Sequence, residues 1–357
     1  MGHLVNDKDQ VYRILAERLD RNPVGAPINE TLMGILHRLY TESEAIVGGK
    51  FPLVPMPLDQ IAKLTGIEEI PLKQILDGMA EKGLLLDIPR KNTTYYMMVP
   101  MVVGFFEYTF MRVQDKVKLK DLAELFQSYF NNKEVRDEFA GKDTKMMRTL
   151  VYESLIPVAV ETEVLTYERA SEIIRESGGG AISICPCRHK AGHLGKSCGA
   201  PLEVCTSLGN AAEWIIRRGL GKPATVDELL QVLDQTEKLG LVHNCDNVLN
   251  KPAYICHCCG CCCVILNNKS ETGKYAAHPS NFIPELETET CIGCGTCAER
   301  CHIKAINMLS DQSGAELPVV DKEVCLGCGV CASACPSGAL VMSRRPNLHV
   351  PPSNAKE

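Results

Sequence analysis

The sequence is poor in aromatic residues, with one tryptophan and 5% aromatics over 357 residues. Trp214 and the scattered tyrosines therefore read as core residues rather than as an electron relay. Positive charge is also short: 38 Lys and Arg stand against 44 Asp and Glu, a net of −6. That balance removes the electrostatic case for nucleic acid as the main partner. Long apolar runs are missing. The most apolar stretch, 97–106, is far shorter than a spanning helix and contains Pro100 and Gly104, so no membrane span is expected. The N-terminus MGHLVNDKDQ has neither the basic nor the apolar segment of a signal peptide, and Asn6 stands where a myristoylation signal needs Ser or Thr. No CxxxCxxC of a radical-SAM enzyme occurs. Gly195-Lys196-Ser197 ends like a P-loop, but Lys190 occupies the position of its leading glycine. Gly219-Leu220-Gly221 lacks a preceding strand and runs into Pro223, which fails the dinucleotide pattern. No flavin or nicotinamide site is visible.

Cysteine is what the chain has in abundance. Its nineteen cysteines fall in CxxC, CxC and CC spacings within a large chain, a pattern of metal ligation in a reducing compartment rather than of a disulfide scaffold. Eight belong to two copies of one run, Cys291-x-x-Cys294-x-x-Cys297-x-x-x-Cys301 and Cys325-x-x-Cys328-x-x-Cys331-x-x-x-Cys335-Pro336, set 34 residues apart. The copies agree beyond the cysteines, CIGCGTCAERCHIKAINM against CLGCGVCASACPSGALVM. This spacing resembles that of bacterial two-cluster ferredoxins, in which three cysteines of one run hold a cubane and the fourth reaches the other cluster. The resemblance assigns Cys291, Cys294, Cys297 and Cys335 to one 4Fe–4S cluster, and Cys325, Cys328, Cys331 and Cys301 to the second. Gly293, Gly295, Gly327 and Gly329 let each loop curl so that backbone N–H groups point at sulfur. His302 departs from the pattern, which has proline there, and is expected to loosen the edge of the second cluster. A pair of zinc sites fits the x2-x2-x3 spacing poorly. Exposed cubanes are oxygen-labile, so a cytoplasmic protein of an anaerobe is expected.

Residues 1–115 hold no cysteine. Apolar residues recur at helical spacing over Val11–Leu19 and Leu32–Leu39. A short helix through Ile61 and Leu64 stops at Gly66, and a second, lined by Leu72, Ile75, Leu76 and Met79, stops at Gly83. Strands at Leu84–Ile88 and Tyr95–Val99 follow, and the whole resembles a winged-helix domain. Between Leu58 and Lys91, five basic residues face six acidic ones. Phosphate binding needs more positive charge than that, so a docking or structural role is preferred to DNA binding. Beyond lies an amphipathic helix with Leu122, Phe126 and Phe130 on one face, read as a packing helix. Then come an expected strand at Val158–Leu165, Thr166 as an N-cap, a helix at Tyr167–Ser177 and a strand at Ala181–Cys185. Thr225-x-x-Glu228 is a capping box, with Gly240 closing the helix it opens.

The remaining chemistry lies between 185 and 263. Cys185, Cys187, Cys198 and Cys205 form one group in sequence, and Cys256, Cys258, Cys259, Cys261, Cys262 and Cys263 another, with Cys245 apart. If CHCCGCCC is extended, Cys259, Cys261 and Cys263 face one way while Cys258 and Cys262 face the other. These ten cysteines are candidate ligands, not all at once, of a further iron–sulfur cluster, with zinc as the alternative and redox-active or structural thiols as a third possibility. Arg188, His189, His193 and Lys196 add positive charge beside them. His243 and His257 are possible ligands, though a lone histidine is more often a hydrogen-bonded core residue.

Taken in order, CPCRH…GKSCGAPLEVC, GLVHNCDNV, ICHCCGCCC and the tandem runs resemble a family of winged-helix, 4Fe–4S dicluster-ferredoxin proteins of anaerobes. The resemblance spans most of the chain and implies architecture and cofactor more than a reaction. The expected architecture is α+β and multidomain: winged-helix-like at 1–115, helical connector at 116–156, cysteine-rich α/β domain at 157–275, two-cluster ferredoxin domain at 276–345 and a polar tail at 346–357. The expected function is electron transfer, as a ferredoxin-like subunit or carrier serving a redox partner protein. A stand-alone iron–sulfur oxidoreductase and a cluster-dependent winged-helix regulator are the alternatives.

Overall fold

A computed structural model describes residues 7–113, 119–310 and 314–354. They divide into two compact units, one reaching to Phe139 and including His189–Ser197, the other made of Ala140–Arg188 and the chain from Cys198 onward.

In the first unit, helices Leu58–Thr65 and Glu69–Lys82 end at Gly66 and Gly83, both left-handed with φ of 75° and 73°. Glycine takes that conformation without strain, which is why both helices stop where they do. Strands β1 (Met56–Pro57), β2 (Leu85–Arg90) and β3 (Thr93–Met98) form an antiparallel sheet in the order β1-β3-β2. Helix Leu119–Asn131 buries Leu122, Ala123, Phe126, Tyr129 and Phe130. Its rings complete a phenylalanine core, with Phe106 centred 5.2 Å from Phe126 and 4.9 Å from Phe130.

The second unit is built on a seven-stranded sheet. Its strands are β4 (Met147–Leu150), β5 (Gly180–Ile184), β6 (Glu203–Leu208), β7 (Gly221–Ala224), β8 (Val242–Asp246), β9 (Tyr254–Cys258) and β10 (Ala277–His278). The order is β10-β4-β8-β9-β6-β5-β7, antiparallel except for β10 against β4. Successive side chains of a strand take opposite faces. One face packs Leu150, Leu208, Cys245 and Ile255 against Ile173, Ile174 and Leu229 of helices Ala170–Ser177 and Val226–Lys238. The Thr225–Glu228 capping box opens the second of these helices as expected, and Gly240 follows it at φ 72°. The other face gathers Met147, Val242 and Cys258 with Cys263, Ile265, Leu266, Leu326 and Val330.

Three local expectations fail. Val158–Glu163 is a 3-10 helix, not a strand: Val158 is exposed, Val160 packs half-buried against the core, and the buried Val164 follows the helix in extended backbone. The helix expected from Tyr167 begins at Ala170, with Thr166–Glu168 a separate 3-10 turn. CHCCGCCC is not extended throughout. β9 stops at Cys258, the last residue paired with β8, and the chain then turns so that Cys263 N–H bonds Cys259 O at 3.2 Å and helix Val264–Asn267 begins.

The ferredoxin runs lie between β11 (Phe282–Leu286), β12 (Ile306–Ser310), β13 (Glu316–Val320) and β14 (Leu340–Arg344). β11 pairs with β14 and β12 with β13, both antiparallel. Each run gives a loop and a short helix, Thr296–Arg300 in the first and Val330–Ser333 in the second.

Candidate metal centres

The two ferredoxin loops curl as their glycines allow. Gly293 and Gly327 have φ of 67° and 65°. A Cβ on Gly327 would stand 2.0 Å from Phe282 O, so both the conformation and the close approach require glycine. Backbone N–H groups reach sulfur: Gly327 N–H points to Cys325 Sγ at 3.4 Å and Ala305 N–H to Cys301 Sγ at 3.2 Å. The loop around the second run is buttressed by Ser280, whose hydroxyl donates to Gly327 O at 2.6 Å, and by Tyr152 N–H on Cys328 O at 3.2 Å.

One cavity is lined by Cys291, Cys294, Cys297 and Cys335 together with Ile292, Leu286 and Pro336. A second is lined by Cys301, Cys325, Cys328 and Cys331 together with Ile303, Pro284 and Val242. In each cavity one cysteine comes from the other run. The two differ in setting. Cys294 is exposed, and hydrogen bonding with Thr296 holds its thiol below the usual range. Cys328, by contrast, is pushed up to about 12 by burial, and burial raises Cys325 and Cys331 as well. A buried thiol gives up its proton only to a cation that replaces it, and four soft sulfurs around a hollow fit a thiolate-bound iron–sulfur cluster.

The sheet sorts the remaining cysteines in a way their sequence grouping did not show. Cys198, Cys259, Cys261 and Cys262 bring their sulfurs within 4.8 Å of one another. Cys198 lies 3.6 Å from Cys259, and Cys261 lies 3.7 Å from Cys262. Four thiolates on one ion, at a metal–sulfur length of about 2.3 Å, form a tetrahedron with edges of about 3.8 Å. The set therefore has the dimensions of a single-ion site. Hydrogen bonding from Cys262, with the Arg188 guanidinium 3.6 Å away, pulls the Cys259 thiol down to about 3. Arg188 itself is 1% exposed, donates to Pro201 O at 2.6 Å, and leaves its buried Nε–H without a partner. A buried guanidinium beside thiols is suited to offset the negative charge of a metal–thiolate centre.

Cys185, Cys187, Cys205, Cys256, Cys258 and Cys263 form a different group. Cys256 is hydrogen-bonded to Cys205 and Cys258, and Cys263 to Cys258 and Cys187. Cys185 adjoins Cys187 and Cys205. The alternation expected for CHCCGCCC is thus overturned at the turn after Cys258: Cys262 joins Cys259 and Cys261, and Cys263 joins Cys258. Cys245 opposes Ile255 across β8 and β9, which puts it on the helix-covered face, 0% exposed and away from the thiol groups. His243 and His257 pair on that same face and share Thr236 Oγ1, at 3.2 and 2.8 Å. They are hydrogen-bonded core residues. His189 bonds Phe110 O at 2.7 Å and the His193 ring at 3.2 Å.

His302, where the ferredoxin pattern has proline, makes two hydrogen bonds outside its own run. Its Nδ1 accepts from Gly260 N–H at 3.1 Å and its Nε2–H donates to Gly240 O at 2.6 Å. It fastens the second ferredoxin run to the CHCCGCCC turn. Gly260 is what permits this, because a Cβ there would stand 2.4 Å from His302 O. The only signal in the sequence was the glycine that interrupts a cysteine run.

Residues 290–339 match the family model of the 4Fe-4S dicluster domain, which gives the chain a ferredoxin-like domain near its C-terminus. Neither a curated protein nor a solved structure matches the chain. Among the described residues no helix is long and apolar enough to cross a membrane.

Proposed function

We propose that the chain is an iron–sulfur electron-transfer protein, a ferredoxin-like subunit or carrier for a partner oxidoreductase in the cytoplasm of an anaerobe. The observation that carries this reading is the pair of cysteine-lined cavities within the segment that matches the dicluster model. In it, Cys291, Cys294, Cys297 and Cys335 hold one 4Fe–4S cluster, and Cys325, Cys328, Cys331 and Cys301 the other. Each cluster, when bound, takes up and releases one electron at low potential. The protein's own part is to tune and insulate. N–H groups aimed at Cys325 and Cys301 stabilise charge on sulfur, while the buried run keeps water from the second cluster. The exposed Cys294 and Ile292 make the first run the natural meeting place for a partner.

Beside this pair, Cys198, Cys259, Cys261 and Cys262 bind one further metal ion, and their close spacing favours zinc or a single iron over a cubane. The winged-helix-like domain at 1–115 serves in protein docking. On its second helix Lys73 is held by Asp77 at 2.6 Å and Lys82 by Glu44 at 2.7 Å, which leaves little charge for phosphate.

The reading is tested on anaerobically purified protein by iron and sulfide analysis with EPR-monitored reduction. Two reducible cubanes are expected, accounting for about eight irons and eight sulfides per chain. Iron without sulfide, or clusters that no low-potential reductant reduces, would overturn it.

A further inference from the structure

We infer that the cysteine-rich domain carries two metal centres of different kinds, and that Cys185, Cys187, Cys205, Cys256, Cys258 and Cys263 hold a polynuclear iron–sulfur cluster separate from the single-ion site. The inference deepens the electron-transfer reading and rests on it.

Backbone register places these residues independently of any thiol contact. β6 and β9 pair through Thr206↔Ile255 and Ser207↔Tyr254, and the next step of that register sets Cys205 opposite Cys256. Cys256 and Cys258 are two apart on β9 and share a face. Ser183 pairs with Cys205, and Cys185, two residues farther along, has its N–H on Leu202 O at 2.8 Å. Cys187 stands in the first turn of helix Pro186–His193, and Cys263 closes the turn after β9. Sheet, helix and turn thus deliver six thiols to one region of one face, while Cys245 on β8 is sent to the other.

The dimensions separate this group from its neighbour. Its sulfurs are linked pair by pair, Cys205 to Cys256 to Cys258 to Cys263 to Cys187, whereas among the described residues the tight cluster of ligand atoms is the Cys198 set. One tetrahedral ion uses four thiolates and would leave two of the six, of which Cys205, Cys258 and Cys263 are buried, outside its coordination. Several irons bridged by sulfide spread the cation over a longer path and employ more of the thiols, and soft thiolate donors select such clusters. Arg188 is drawn to both groups, to Cys185 on one side and to Cys198 and Cys259 on the other, and so offsets charge at each.

The test compares wild type, Cys256→Ser/Cys263→Ser and Cys198→Ser/Cys261→Ser by anaerobic iron, sulfide and zinc analysis with Mössbauer spectroscopy. Cys256→Ser/Cys263→Ser is expected to lose iron and inorganic sulfide together, keeping the ferredoxin irons and the single ion. Cys198→Ser/Cys261→Ser is expected to lose one ion and no sulfide. Wild-type iron and sulfide in the first variant, the same loss from both variants, or loss of zinc without sulfide from the first would overturn the inference. Ferredoxin irons missing already in wild type would instead count against the electron-transfer reading. Cys245→Ala, on the opposite face, should keep the full metal content. If the first variant fails to fold by circular dichroism, Cys185→Ser at the half-buried edge gives the same readout, an altered cluster spectrum supporting the site and an unaltered one overturning it.

Discussion

The ferredoxin runs and the cysteine-rich domain bring thiols together by opposite means. In the runs, three cysteines of each set lie within seven residues of one another and a loop with left-handed glycines suffices to turn them inward. Only the fourth comes from afar. In the cysteine-rich domain, the Cys198 set spans 65 positions of sequence and the Cys185 set 79, counted inclusively from 198 to 262 and from 185 to 263. Their assembly depends on the register of β5, β6 and β9 and on one turn. A loop-built site tolerates change elsewhere in the fold, while a register-built site is only as sound as its sheet, since a one-residue slip sends a strand's cysteines to the other face.

The largest expected effect breaks the local design. Cys328→Ser should abolish the second cubane, removing about four of roughly eight ferredoxin irons, while leaving the first cluster reducible. Iron analysis with EPR checks this, and retention of both cubane signals would refute the assignment of Cys328. A smaller effect is expected where a charge rather than a ligand is removed. Arg188→Gln should weaken metal binding in the cysteine-rich domain by about 10- to 100-fold, as loss of a group supporting metal ligands commonly does. Chelator competition would measure it. Ferredoxin signals should not change, and Arg188→Lys should restore part of the affinity. An equal loss from the ferredoxin clusters would show that Arg188 acts through overall stability.

The same contrast explains what could be read from the sequence. The tandem runs, the Gly66 and Gly83 helix ends, the hairpin of β2 and β3 and the Thr225–Glu228 cap were all legible, because each is specified by residues within one turn or loop. The grouping of Cys185 to Cys263 was not. Side-chain direction in CHCCGCCC follows a strict alternation only while β9 has a partner, and β8 runs out at Val242, opposite Cys258. No spacing rule within the cysteines marks that point. The strand expected at Val158–Leu165 failed for a related reason: valines spaced by even numbers suit a strand, but no neighbouring strand pairs with this segment among the described residues.

The smallest effect should arise where the two designs meet. His302 bridges them by two hydrogen bonds, one to Gly240 O and one from Gly260 N–H. Each bond contributes about 1 kcal/mol net, so His302→Ala should lower unfolding stability by about 2 kcal/mol, read from a denaturant midpoint under anaerobic conditions. No cluster ligand is removed, so iron and sulfide content should stay at the wild-type level. The effect that distinguishes a junction from a mere packing residue is kinetic: the Cys259–Cys262 turn, freed from its tether, should release its ion faster to a chelator, with ferredoxin iron lost no faster than before. His302→Pro restores the residue usual in ferredoxins but neither hydrogen bond, and should behave like His302→Ala. If His302→Pro instead matched wild type, the tether would contribute nothing and the ferredoxin turn alone would govern both regions.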